Sequence, residues 1–138
     1  MPDKLTLELV TPARQMLSEQ VDEIFAPGSL GQFGLLPGHA PMLTTLQPGE
    51  LRYRKGKEIF YLAVSWGYVE IENNRVVILA ETAETEDEID LERARAALGR
   101  AQQALTGMSA EEKEYRAMQQ ALARAMVRIQ VAGKHKNF

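Results

Sequence analysis

The chain changes character within one stretch, Glu84-Thr-Glu-Asp-Glu-Ile-Asp-Leu-Glu-Arg-Ala94, called the seam below. Before the seam, apolar residues alternate with polar ones, which is the period of a half-buried β-strand. After it, apolar residues recur every three or four positions, which is the period of an amphipathic helix. Six acidic residues lie between Glu84 and Glu92, and acids are stabilised where a helix begins. We therefore predict a β domain over residues 1–84 and a helical domain over residues 85–138.

The composition is that of an ordinary soluble domain, with 45% hydrophobic and 25% charged residues. The absence of cysteine excludes disulfide bonds and thiolate metal ligands. No run of about 18 apolar residues predicts a transmembrane helix. The N-terminus also lacks the basic region and apolar region of a secretory signal. We therefore expect a cytosolic protein without a metal site.

Short segments of strand character fill the residues before the seam. Leu5–Val10 alternates strictly, and Asn73-Asn74 predicts a tight hairpin turn because asparagine tolerates positive φ. Residues 31–41 are dense in glycine and proline and predict a loop. The predicted strands are 5–10, 14–18, 20–26, 42–46, 51–54, 59–64, 68–72 and 75–80. Seven to ten short strands at this spacing predict a flattened β-sandwich or barrel.

Two helices are predicted after the seam. Asp90 stands at the N-cap of the first helix and Gly107 at its end. Ser109-Ala-Glu-Glu112 matches a capping box for the second helix, which Gly133 ends. The two apolar stripes are Leu91, Ala94, Leu98, Ala101 and Leu105, and Tyr115, Met118, Leu122, Ala125 and Ile129. The fold class is therefore α+β, a β-sandwich followed by an antiparallel two-helix hairpin.

The helical hairpin is predicted to be marginally stable by itself. Its stripes are narrow and rich in alanine, which adds little to the burial term of about 25 cal/mol per Å² of apolar surface. Isolated helices of this length are marginal in water. We therefore expect the hairpin to pack against the sandwich, another chain or a ligand.

Catalytic machinery is hard to find in this sequence. His39 and His135 are the two histidines, and a lone histidine rarely makes a site. The chain has no P-loop, zinc signature or nucleophile elbow. Its net charge of −3 and the scarcity of aromatics on its basic helices argue against nucleic-acid binding. A small β-sandwich enzyme is accordingly the weakest interpretation.

Positive charge is concentrated after the seam. Residues 93–138 contain nine Lys or Arg and three Glu, a balance of +6. A solvated helical surface explains most of these charges. The alternative is a basic arm that meets an acidic partner or a phosphate.

Four arginines suggest an anion site within the hairpin. Arg93 and Arg100 share one face of the first helix, and Arg124 and Arg128 lie one turn apart on the second. Like charges at such spacing repel, and a bound phosphate would offset this cost. Asp90 and Glu84 could accept hydrogen bonds from an amino group or hydroxyl of the same ligand. A nucleotide held by the folded hairpin and a set of merely solvated arginines are the two interpretations.

Two further segments carry a resemblance to a known family. They are the run Leu36-Pro-Gly-His-Ala-Pro41 and the segment Ile89-Asp-Leu-Glu-Arg-Ala94. With the order and length of the chain, they identify a sequence that resembles the epsilon subunits of bacterial F-type ATP synthases. The second segment fits the Ile/Leu-Asp-x-x-Arg-Ala nucleotide motif of that family in full. The resemblance covers essentially the whole chain.

The resemblance implies a ten-stranded sandwich that binds the gamma subunit of the central shaft and the c-ring, with Gly28–Pro41 as the contacting edge. It implies helices that fold against the sandwich or extend to the alpha and beta subunits and block ATP hydrolysis. A charged contact to the ring is in doubt at Gln32, where family members often carry an acid. The chain would then lie on the cytoplasmic face of the bacterial inner membrane, peripheral through its complex.

The resemblance also implies a nucleotide site without any required cofactor. ATP would be a regulatory ligand that holds the folded form, as in some members of the family. The residues carried over are Glu84, Ile89, Asp90, Arg93, Ala94, Arg100, Arg124 and Arg128. The alternative function is a stand-alone nucleotide sensor that uses the same site to regulate an unrelated partner.

Overall fold

The computed structural model describes residues 3–134, which form a β domain followed by two helices. A short 3-10 turn, Glu86–Glu88, connects the last strand to the first helix. The elements are β1 (Leu5–Val10), β2 (Gln15–Val21), β3 (Glu23–Gly28), β4 (Gly31–Leu35), β5 (Met42–Leu46), β6 (Gly49–Lys55), β7 (Glu58–Glu72), β8 (Arg75–Thr85), α1 (Leu91–Thr106) and α2 (Tyr115–Ala132). The α+β class predicted from the change of period is confirmed.

The strands hydrogen-bond in the order β2-β1-β8-β7-β5-β3-β4, and β6 pairs with β3 and β7. The N-terminal half of β7 pairs with β6 and its C-terminal half pairs with β5, so this strand serves both layers of the sandwich. The bend between the halves lies at Trp66 and Gly67, where φ is +30° and +158°. A side chain on Gly67 would collide with the carbonyl of Leu79 on β8. Glycine is therefore required at the point where the two long strands cross closely.

The core follows the alternation read from the sequence. In β1, Leu5, Leu7 and Leu9 are fully buried while the residues between them are partly exposed. Apolar residues from the other strands complete one cluster between the layers, including Val21, Ile24, Leu35, Leu46, Leu51, Leu62, Val69, Ile71, Val76 and Ile78. This cluster makes the sandwich the rigid part on which the helices rest.

The strand count and several strand limits differ from the prediction. The described residues form eight strands, against the ten that the family resemblance implies. Segments 59–64 and 68–72, predicted as two strands, are one strand that bends without a break, whereas β4 is a strand that was not predicted. The expected loop 31–41 begins as strand β4, which pairs with β3 and buries Leu35 opposite Ile24. Tertiary pairing thus overrides the glycine content of that segment. The turn at Asn73 and Asn74 has the expected positive φ, 51° and 63°.

The two helices confirm one predicted cap and contradict the other. Asp90 caps α1, and its carboxylate accepts a hydrogen bond from the N–H of Arg93 at 3.1 Å. The capping box predicted at Ser109 is wrong, since α2 begins at Tyr115 behind Glu114, which makes no side-chain cap. Residues 109–114 are all exposed, so no packing stabilises the extra turn that a helix from Ser109 would need. His135 and the predicted C-terminal tail lie outside the described residues.

The hairpin lies along the sandwich rather than apart from it. Helix α2 packs on β6, β7 and the 3-10 turn, while α1 packs mainly on α2. Ala94, Ala101 and Ala125 are buried, whereas the leucines of the predicted α1 stripe are only half-buried. No helix within residues 3–134 combines the length and apolar character needed to cross a membrane.

Candidate functional site

A cavity of about 240 Å³ lies where the seam and the two helices meet. The end of β8, the 3-10 turn, α1 and α2 all contribute to its wall. We call it the hairpin cavity, and its lining residues are Glu84, Glu88, Asp90, Arg93, Ala94, Ala97, Arg100 and Arg128. Three guanidinium groups and three carboxylates thus share one small space, with two alanines as its apolar wall.

The fold brings six of the eight predicted site residues to this cavity. They are Glu84, Asp90, Arg93, Ala94, Arg100 and Arg128. They come from β8, from the N-cap and first turns of α1, and from α2, so only the folded hairpin assembles them. Their role in binding a ligand remains a prediction.

The other two predicted residues do not line the cavity. Ile89 is half-buried between the 3-10 turn and Asp90, and its N–H donates to the carbonyl of Glu86 at 3.4 Å. Arg124 lies over the ring of Trp66, with its guanidinium carbon 5.7 Å from the ring centre. Arg124 also borders a much smaller gap beside the cavity together with Glu84 and Arg128. Its visible interaction therefore attaches α2 to the sandwich.

Some charged groups in the cavity already have partners, and others do not. Arg128 forms an ion pair with Glu84 of β8, and one oxygen of Asp90 is used by the helix cap. Within residues 3–134, the guanidinium groups of Arg93 and Arg100 have no ion-pair partner, and both residues are exposed. An entering anion would meet these two unpaired cations and would compete with Glu84 for the third.

Glu88 is a cavity residue that the sequence reasoning missed. Its carboxylate accepts hydrogen bonds from the N–H of Thr85 at 3.0 Å and the hydroxyl of Thr85 at 3.1 Å, and it pairs with Arg14 from the β1–β2 turn. The N–H of Thr85, and then Arg14, hold the pKa of Glu88 below its usual range. The spacing Thr85-x-x-Glu88 is a capping-box pattern, so the sequence did contain the signal. Glu88 fixes the seam in place.

A second feature is an apolar groove on the sandwich, which borders the predicted edge at residues 28–41 because Gly28 pairs with Leu46 of the groove. The groove has a volume of about 700 Å³ and includes residues of β1, β5, β7 and β8, among them Val10, Leu46, Trp66, Tyr68 and Leu79. Tyr68 is 55% exposed and Leu79 is 49% exposed. Contiguous apolar surface of this kind marks interaction sites. No periodicity identified it, because its residues come from four strands.

The predicted edge also exposes apolar side chains. Leu30 is fully exposed in the turn between β3 and β4, and Leu36 is 53% exposed beyond β4. His39 lies in the same edge, where its ring Nδ1 is 2.7 Å from the carbonyl of Ala40. Among residues 3–134, no group of three or more His, Cys, Asp or Glu side chains is placed to hold a metal ion.

Both parts of the chain match one protein family. Residues 4–86 match the family described as "ATP synthase, Delta/Epsilon chain, beta-sandwich domain". Residues 87–133 match "ATP synthase, Delta/Epsilon chain, long alpha-helix domain".

Individual proteins agree with this assignment. The chain is 66% identical to ATP synthase epsilon chain 2 of Syntrophotalea carbinolica and 60% identical to the ATP synthase epsilon chain of Geobacter metallireducens, in each case over 97% of both chains. Among solved structures, a chain of the Euglena gracilis mitochondrial ATP synthase matches with a TM-score of 0.78 and 25% identity, over 98% of this chain and 84% of that one. The chain therefore belongs to the ATP synthase delta/epsilon family, among its epsilon chains.

Proposed function

We propose that this chain is a non-catalytic central-stalk subunit of an F-type ATP synthase, which couples proton translocation to ATP synthesis and restrains ATP hydrolysis. The restraint comes from the helical hairpin, which leaves the sandwich and extends toward the alpha and beta subunits. ATP bound in the hairpin cavity favours the folded form. The place of this chain among the epsilon chains supports the central-stalk role, and the weak attachment of the hairpin to the sandwich supports the movement of the hairpin.

The attachment of the hairpin is the observation that carries the switching proposal. The buried residues of the two helices are Ala94, Ala101, Ala125, Val131 and Ala132. Four of these five are alanines, whose small side chains contribute little at about 25 cal/mol per Å² of apolar surface. The Glu84–Arg128 pair is about one-third exposed on each side, and pairs of this kind contribute about 0–1 kcal/mol. Folded and extended states are therefore close in free energy. A ligand with about 2 kcal/mol of preference for one state would change their ratio about 30-fold.

The hairpin cavity supports a phosphate-bearing ligand. Guanidinium groups suit phosphate oxygens, and Arg93 and Arg100 are available to bind them. The cavity volume of about 240 Å³ is below the range of roughly 300–1,000 Å³ for pockets that enclose a whole ligand. A nucleotide would therefore remain partly outside it, and its binding would be sensitive to movement of either helix. Ile89 and Arg124 remain proposed contacts on the strength of the family resemblance alone.

Two surfaces of the sandwich support its role as the attachment to the rotor. The apolar groove around Trp66 and Tyr68 offers a partner subunit a continuous apolar contact, and we assign the gamma subunit to it. The edge Gly28–Pro41, with Leu30 and Leu36 exposed, suits the gamma subunit and the c-ring, because irregular segments on a rigid sheet commonly carry recognition. The protein would then be peripheral, held at the cytoplasmic face of the bacterial inner membrane by its complex.

Deletion of residues 89–138 in the assembled complex tests the inhibitory role. ATP hydrolysis should rise while assembly survives, because the groove and the edge lie on the sandwich that remains. The matched control is a charge-neutral pair of changes on α1, Glu92→Gln with Arg95→Met, which removes an exposed ion pair without removing the hairpin. Unchanged hydrolysis in the deleted complex would refute the inhibitory role.

A stand-alone nucleotide sensor is the second candidate, favoured by the hairpin cavity considered alone. It predicts that the isolated chain binds ATP and that purified F-type complexes lack the chain. Recovery of the chain in stoichiometric amounts with gamma and the c-ring would refute it. Calorimetry of the isolated chain measures the nucleotide site separately, and no binding at millimolar ATP would refute the site while leaving the coupling role intact.

A further inference from the structure

A buried carboxylate on β6 lies outside the hairpin cavity. Glu50 is 8% exposed, and Glu50 and Ser65 are the two polar or charged side chains in the buried set of the described residues. A buried charge is costly unless it is paired. The stability of this carboxylate therefore depends on which cations lie beside it.

The partners of Glu50 belong to different parts of the molecule. Arg52, two residues along the same strand, places Nη1 3.4 Å from Oε2 of Glu50 and lies over the ring of Phe25, 4.3 Å from its centre. Lys134, directly beyond α2, places Nζ 3.1 Å from Oε1 of Glu50. Arg52 stays beside Glu50 whatever the helices do, whereas Lys134 leaves when the hairpin leaves.

Lys134 has a second contact on the sandwich besides its ion pair with Glu50. Its ammonium group lies 5.6 Å from the centre of the Tyr61 ring on β7, so one cation bridges β6 and β7. Among residues 3–134, Oε1 of Glu50 accepts no hydrogen bond, and the ammonium group of Lys134 at 3.1 Å is its ion-pair partner. Removing Lys134 would therefore leave a buried oxygen without its cation, which is the costly outcome for a buried charge.

We propose that Glu50 and Lys134 form a clasp that holds the C-terminal end of α2 on the sandwich and sets the folded fraction of the hairpin independently of the nucleotide. This inference rests on the proposed mobility of the hairpin. The Glu84–Arg128 pair lies in the cavity and is exposed to competition from a bound anion. The clasp lines no part of that cavity, so a ligand there leaves its charges in place.

The test uses the full chain with two labels and neutral variants of each clasp residue. Because the sequence has no cysteine, cysteines introduced at the exposed positions Lys57 and Ser109 carry the labels at unique sites, and pulsed spin-label distance measurements report folded and extended hairpins. Glu50→Gln and Lys134→Met should each raise the extended fraction about fivefold, between the effects of exposed and buried pairs. The double variant should raise the extended fraction no further than the larger single change does. Lys134→Arg keeps the positive charge and should leave the folded fraction as in the wild-type chain.

The control pair is Glu92→Gln with Arg95→Met, because that ion pair lies within α1 and ties nothing to the sandwich. It should leave the distance distribution unchanged. In the assembled complex, Glu50→Gln should lower ATP hydrolysis, and this variant alters no helix residue that could touch another subunit. The clasp would be overturned if the chain extends but Glu50→Gln and Lys134→Met leave the extended fraction unchanged. It would also be overturned if the effects of the two changes add in the double variant. A wild-type chain that never extends, even with partner subunits, would instead overturn the proposed switching.

Discussion

Enlarging one buried alanine of the hairpin should release it from the sandwich. Ala125 of α2 is fully buried, within the helix that packs on both α1 and the sandwich. Leucine at this position adds three carbon atoms where the packed face has no room for them. We expect Ala125→Leu to shift the chain from the folded to the extended hairpin while the sandwich stays folded.

The magnitude follows from the cost of overpacking. Inserting extra methylene groups into a packed interior costs about 1–3 kcal/mol, and this cost is paid only in the folded hairpin. The ratio of extended to folded chains should therefore rise about 5- to 150-fold. The sandwich is spared because its own cluster of buried residues contains no residue of either helix.

Small-angle scattering of the isolated chain measures the outcome. Helix α1 has 16 residues, and a helix of that length spans about 24 Å, so extension lengthens the maximum dimension visibly. The control is Ala117→Leu, because Ala117 is exposed on the same helix and leucine there changes composition without overpacking. Equal maximum dimensions for the two variants would refute the reasoning, since they would mean that the alanine contacts do not hold the hairpin down.

Three further results are expected. Gly67→Ala should prevent folding of the sandwich, because the new methyl group collides with the backbone of β8. Thermal unfolding should then show no cooperative transition. The control is Gly99→Ala in α1, where the methyl group has free space and should raise stability by about 1 kcal/mol. The pKa of Glu88 is lowered in the folded chain, so the stabilisation by its carboxylate is present above the unfolded pKa of about 4.3 and is lost as pH falls through the folded pKa. Glu88→Gln should therefore reduce the loss of folding stability on acidification. An unchanged dependence of stability on acid pH would contradict this role. Arg93→Ala should weaken ATP binding about tenfold or more in calorimetry, and equal affinity would exclude Arg93 from the site.

The sequence by itself determined the order of the elements and the residue types that could bind an anion. The change of period at the seam located the boundary between strands and helices, because burial on one face imposes a period of two on a strand and nearly four on a helix. Asp90 was identified as a cap from its chemistry alone, since a short carboxylate can accept the free N–H groups of a first turn. Helical spacing also placed Arg93 and Arg100 on one face of α1, but the meeting of six proposed site residues at one cavity depends on the packing of β8, α1 and α2.

Only the tertiary structure decided what depends on distant strands. Residues 31–35 became a strand because β3 offers them a partner, and the expected helix start at Ser109 failed because nothing packs on residues 109–114. The apolar groove is assembled from four strands and the Glu50–Lys134 pair joins residues far apart in sequence. Local patterns report which face of an element is buried, but the partner that buries it is set by long-range packing, which no single segment encodes.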